Sequence, residues 1–166
     1  MIPMVDIRRE HTFDAPIADV WKMFCDPKSH LAKFEAMGHR DIEVVEQKKS
    51  KAGLHLVISR TVTVDLPGFA KKVLKPTNTV VSTDDWQDRG DGTYGGPFSA
   101  DPQGAPIKVR GTTLIEPDGD RTHYVVQTSI DVKVPLIGGK IADFSKGIVN
   151  KQMDDEFRLG DEWLSR

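Results

Sequence analysis

The side chains that could do chemistry are the polar ones that fall on strand faces otherwise built from apolar residues. Between residues 4 and 13 the alternation places Val5, Ile7, Arg9, His11 and Phe13 on one face. Between 53 and 65 it places Leu54, Leu56, Ile58, Arg60 and Val62 together, and between 77 and 88 it groups Val80, Ser82, Asp84 and Trp86. A charge turned into an apolar interior is costly unless it is paired. Arg9, Arg60 and Asp84 therefore leave three readings open: strand ends or a bulge turn them outward, they pair internally, or they meet the polar end of a ligand. An arginine suits a carboxylate or phosphate because its fork donates two parallel hydrogen bonds. His11 could act as a general base, with Asp84 or Tyr124 as partner, but no nucleophile, base and orienting group fall together, so no catalytic residue is assigned. Tyr124, Thr113 and Thr128 offer hydroxyls to the same wall. His30, His39, His55 and His123 fall on helix ends, loops or outward faces without ligand spacing, so no metal or other cofactor is expected. Cys25 reads as an inert core thiol, and Trp21 and Trp86 read first as packing residues.

The elements that must position these groups follow from periodicity. The strand over 4–13 is stopped by Asp14-Ala15-Pro16, which suits the first turn of a helix carrying Ile17, Val20, Trp21 and Phe24. Asp26-Pro27 starts a second short helix with Leu31, Phe34 and Met37, closed by Gly38. Strands are expected over 40–46, 53–65, 77–88, 107–116 and 121–134, the last two joined by Pro117-Asp118-Gly119-Asp120. Residues 89–106 read as a Gly/Pro-rich hairpin region. Residues 66–76 break the pattern yet carry Leu66, Phe69, Val73 and Leu74, too apolar for a solvated loop. They are expected to form a lid against the terminal helix near Gly147, or else a short element fixed on the core. From Pro135 the pattern is helical; a helix over 140–164 would be about 37 Å long, enough to cross a small sheet. Its apolar residues fall in two stripes, Ile137, Ile141, Phe144 and Ile148, then Val149, Met153, Phe157 and Leu164. They are rotated apart around Gly147, so either the helix bends there or the stripes face different partners.

Bulk properties narrow the function. With 23 basic and 25 acidic residues the net charge is −2, which gives no electrostatic drive toward nucleic acid. The densest basic stretches, around Lys48, Lys49 and Lys51 and around Lys71, Lys72 and Lys75, read as solvated loops. The second leaves open a transient contact with an anionic membrane surface. No apolar run is long enough to span a bilayer, no signal peptide is read at the start, and the one cysteine fits a reducing compartment, so a cytoplasmic protein forming one domain over 1–166 is expected. The oligomeric state is not legible.

The opening strand, then Phe13-Asp14-Ala15-Pro16-Ile17-Ala18-Asp19-Val20-Trp21, then Cys25-Asp26-Pro27, resembles the start of START-like proteins, the polyketide-cyclase and lipid-transfer superfamily. The long terminal helix ending Phe157-Arg158-Leu159-Gly160-Asp161-Glu162-Trp163-Leu164 resembles theirs too. With Pro67-Gly68-Phe69-Ala70-Lys71-Lys72 in mid-chain, the sequence looks most like an actinobacterial branch of unassigned function. The resemblance implies an α+β helix-grip fold: a curved antiparallel sheet wrapped around a long C-terminal helix, with two short helices after strand 1. It implies an internal cavity between sheet and helix, holding a hydrophobic small molecule or lipid. The residues expected at that ligand are Arg9, His11, Leu56, Ile58, Arg60, Val62, Phe69, Asp84, Trp86, Tyr124, Thr128, Ile141, Phe144 and Ile148. Two other functions stay open: a polyketide cyclase or dehydratase-like enzyme, and a module regulating a protein partner.

Overall fold

The computed structural model describes residues 4–166. Strand β1 (Met4–Phe13) is followed by helices α1 (Ile17–Cys25) and α2 (Pro27–Ala36). Five consecutive strands come next: β2 (Arg40–Ser50), β3 (Gly53–Thr63), β4 (Thr77–Asp88), β5 (Tyr94–Pro102) and β6 (Ile107–Asp118). Strand β7 (Arg121–Val132) and helix α3 (Gly138–Leu164) complete the chain. Asp26 separates the two short helices for a local reason. Its carboxylate accepts the Lys28 N–H at 2.9 Å, capping α2, while Pro27 occupies a first-turn position where no N–H is needed.

All strand pairings are antiparallel, in the order β1-β7-β6-β5-β4-β3-β2, so β1 and β2 form the edges. Two expectations from the sequence need correction. Residues 89–106 contain a full strand, β5, whose glycines and Pro97 make it look like a loop in the sequence. Glycine is required there because the neighbouring backbone comes so close. A Cβ on Gly96 would lie 1.8 Å from the Asp85 carbonyl oxygen, and one on Gly95 would lie 2.6 Å from that of Thr113. Strand β2 also runs on through Lys48, Lys49 and Ser50, so these lysines decorate an exposed sheet edge instead of a loop, a position where charge discourages pairing with another chain.

Helix α3 has 27 residues and is about 40 Å long. It runs unbroken through Gly147, and both apolar stripes face the protein at different heights. Ile141 and Ala142 enter one core with Ile7, Ile130 and Val132. Met153 and Phe157 meet Val126, and Trp163 and Leu164 close on a core made of Phe13, Val20, Phe24, Leu56 and Trp86. The helix makes its principal contacts with β1, β7, α1 and α2. The middle of the sheet is therefore not filled by the helix above it.

Residues 64–76 cross from β3 to β4 as a stack of turns, with the Leu74 N–H bonded to the Ala70 carbonyl at 2.8 Å. Ala70 is fully buried, and Leu66, Phe69, Val73 and Leu74 join the core that holds Ile141 and Ala142. The segment thus meets the first turns of α3, in a cluster that also takes in Val149. Gly147 is exposed, with nothing within 4 Å of where a Cβ would sit. Gly147→Ala should accordingly stabilise the fold by up to about 1 kcal/mol in urea unfolding, through helix propensity alone. A loss of stability would show that α3 needs a hinge at this position.

Candidate functional site

Beneath the middle of α3 lies a cavity of about 240 Å³. Its floor comes from β3, β4, β5, β6 and β7, and its roof includes Phe144, Ile148, Gln152 and Glu156, successive residues on one stripe of α3. Most of the wall is apolar: Ile58, Val62, Val80, Val109, Val126 and Ile130 from the sheet, with Leu66 and Leu74 from the β3–β4 connection at one end. Lys75 also reaches this lining, whereas Lys71 and Lys72 lie exposed on the surface.

At the α2 end the wall turns polar. Lys33 Nζ and Glu156 Oε1 form an ion pair at 2.9 Å, tying α2 to α3. Arg60 is buried; its Nε–H donates to His39 Nδ1 at 3.1 Å and its Nη1 to Ser82 Oγ at 2.6 Å. Its guanidinium also lies 4.0 Å from the centre of the Phe34 ring. Burial lowers the Arg60 pKa, opposed by Glu156 and Asp84, yet an arginine so placed keeps its charge. For Glu156 burial acts upward, but Lys33, then Arg60 and His30, hold the carboxyl below its ordinary value. Asp84 has no such support: burial raises it to about 6, against weaker opposition from Lys33 and Arg60. Burial also raises the Tyr124 phenol, with help from Glu156 and Asp84. His30 bonds through Nε2 to the Phe24 carbonyl at 2.8 Å and falls to about 4 because it is buried. His39 falls to about 4 through burial and the adjacent Arg60 charge.

Of the residues expected at a ligand, Ile58, Arg60, Val62, Asp84, Trp86, Tyr124, Thr128, Phe144 and Ile148 line this cavity. Arg9, His11, Leu56, Phe69 and Ile141 do not. Arg9 and His11 sit on the edge strand beside α3. The Arg9 guanidinium donates to the Asn150 carbonyl at 3.1 Å and pairs with Asp154. His11 Nε2 meets Asp161 at 2.9 Å while its ring stacks on Phe157. Their alternation holds, but an edge strand's inner face meets the helix before it meets the cavity. His11 stands directly across the ladder from Tyr124, but among the described residues no hydrogen bond joins it to Tyr124 or to Asp84. Leu56 and Ile141 are consumed by the cores at either end, and Phe69 lies against Lys140 outside the cavity.

Lys33, Glu156, His30, His39 and Ser82 belong to the site without being expected there from the sequence. Lys33 and Glu156 come together from α2 and α3, two helices distant in sequence. The signal for Glu156 is its place four residues after Gln152 and eight after Ile148, in the stripe that begins with Phe144.

The family model for a protein of unknown function, DUF2505, matches residues 8–164. The chain belongs to this family. Comparison with curated proteins finds no match. Among solved structures, the Zhui aromatase/cyclase from Streptomyces sp. R1128 is similar, with a TM-score of 0.71 at 16% identity over 99% of this chain and 95% of the other. TTHA0849 from Thermus thermophilus gives 0.69 at 14% identity over 96% and 97% of the two chains. Human STARD10 gives 0.62 at 13% identity over 98% of this chain and 66% of the other. At such identities the likeness is one of fold, and that fold is the α+β helix-grip architecture. Among the described residues, no helix is long and apolar enough to cross a membrane.

The buried His30 and the half-buried His39 predict a pH dependence. A histidine whose pKa is about 4 when folded and about 6.5 when unfolded contributes stability that is complete above pH 6.5 and is lost as pH falls toward 4. For the fully enclosed His30 the full loss is about 3 kcal/mol. Asp84 acts with the opposite sign, as do His55 and His123, whose pKa values are raised by carboxylate partners. The isolating measurement is therefore a comparison. Between pH 7.5 and 4.5 the thermal midpoint of His30→Gln should fall by less than that of the wild type, and parallel falls would contradict the assignment.

Proposed function

We propose that this protein binds a compact hydrophobic small molecule in the cavity under α3. The observation that carries the reading is the cavity itself: about 240 Å³ of mostly apolar wall with both carboxylates and two of the three lining cations at one end. Small-molecule sites have this composition, and their volumes commonly start near 300 Å³. A ligand of modest size fits these dimensions better than a two-chain lipid. The turns at 64–76 give the cavity its other end and serve as the way in. They are joined to the sheet by few backbone bonds and contribute Leu66, Leu74 and Lys75 to the lining.

A second reading, acid/base catalysis on a bound substrate, is favoured by one observation, the cavity carboxylate of Asp84 with its pKa of about 6. The name of the similar aromatase/cyclase agrees with it. In that case Asp84 acts as the base, without His11.

Titration with a neutral fluorophore, phenylnaphthylamine, tests the binding reading. The wild type should bind it, Ile148→Trp should fill the cavity and abolish binding while keeping the fold, and amide exchange across 64–76 should slow on binding. Failure of the wild type to bind, or full binding by Ile148→Trp, would remove the proposal. Uniformly slow exchange in the free protein would remove the portal.

A further inference from the structure

We infer that the polar end of the ligand is a hydrogen-bond donor, a hydroxyl or a protonated amine, received by the Asp84 carboxylate, and not an acid received by Arg60. This rests on the cavity reading above and narrows it to a class of ligand.

The polar groups of the cavity differ in what already satisfies them. Lys33 and Glu156 satisfy one another. Arg60 has its Nε committed to His39, one Nη1 N–H to Ser82 and its face to Phe34, so it is partly held by protein, with Nη2 unpartnered among the described residues. Asp84 differs. Among the described residues its side chain accepts no hydrogen bond, and no cation comes within ion-pair distance of it. Its cross-strand neighbours on the same face, Leu56 and Phe98, and Trp86 two residues along the strand, offer it no bond. The Tyr124 hydroxyl in the same cavity wall likewise has no hydrogen-bond partner among the described residues. An ionised carboxylate can only accept, so whatever completes Asp84 must donate. Asp84 is half-buried and opens onto the cavity, and a carboxylate there without donors is the kind of group kept where a ligand needs it.

Charge points the same way. The groups facing Asp84 are Lys33 from α2, Arg60 from β3, Tyr124 from β7 and Glu156 from α3. At this end two cations, Lys33 and Arg60, balance two carboxylates, Asp84 and Glu156, while the adjacent His30 and His39 are neutral at pH 7 and the third lining cation, Lys75, stands at the opposite end of the cavity. An acidic ligand would bring a third negative charge to this set. An alcohol brings none, and an amine places its charge on Asp84.

Calorimetry with one scaffold and four end groups tests the inference: naphthalene, naphthol, naphthylmethylamine and naphthoic acid. Naphthol or the amine should bind roughly tenfold or more tightly than naphthalene and the acid, as a hydrogen bond to a buried charge allows. That preference should weaken below pH 6, as Asp84 takes up its own proton. Asp84→Leu should erase the preference, keep the affinity for naphthalene, and melt at a higher temperature than the wild type; Asp84→Asn should also melt higher. A wild type that prefers naphthoic acid, a preference that survives Asp84→Leu, or variants less stable than the wild type would each overturn it. If even naphthalene fails to bind, the cavity reading itself is wrong, a different failure from any of these.

Discussion

Helix α3 is held against the edge strand β1 by a row of contacts. Arg9 bonds to Asn150 and Asp154 and lies over Phe157, His11 bonds to Asp161 and stacks on Phe157, and Gly160 lets the helix approach Phe13. The ion pairs in this row are partly exposed and contribute little each. The buried rings of Phe13 and Phe157 supply most of the energy. What matters is placement. A helix fixed along one edge of a curved, twisted sheet cannot also touch the strands in the middle, and the space left over is the cavity. The Lys33–Glu156 pair completes the arrangement by fixing α2 to the same helix at the cavity's polar end.

That polar end is a small electrostatic system in which burial and pairing oppose each other. Where a charged partner is close the charged form is favoured, as at Glu156; where none is, burial shifts the group toward its neutral form, fully at His30 and only below about pH 6 at Asp84. Arg60 marks the boundary: it remains charged in a buried place because His39, Ser82 and the Phe34 ring surround it with acceptors and π density.

Much of this is legible in the sequence, for reasons that can be named. Period two along β3 and β4 identifies the faces carrying Ile58, Arg60, Val62, Asp84 and Trp86, because both faces of a strand alternate strictly. The order of two short helices, strands and a long last helix carries the architecture. Strand β5 is hidden because its glycines serve close backbone approach, which in one dimension looks the same as a turn. Arg9 and His11 fall on the right face but at the wrong neighbour, since alternation cannot say which strand will be the edge. Lys33 and Glu156 are out of reach because their pairing depends on where two helices distant in sequence come together.

On this account the cavity is a binding site and not a packing defect. An apolar cavity of this size with a charged end would be costly to keep empty. The most direct measurement is native mass spectrometry on the protein purified from its own source, followed by the same on Ile148→Trp. The predicted result is a wild-type population carrying the mass of a compact hydrophobic molecule, released on denaturation and missing from the variant. A wild type that always carries only its own mass, and binds no apolar molecule added back, would contradict it.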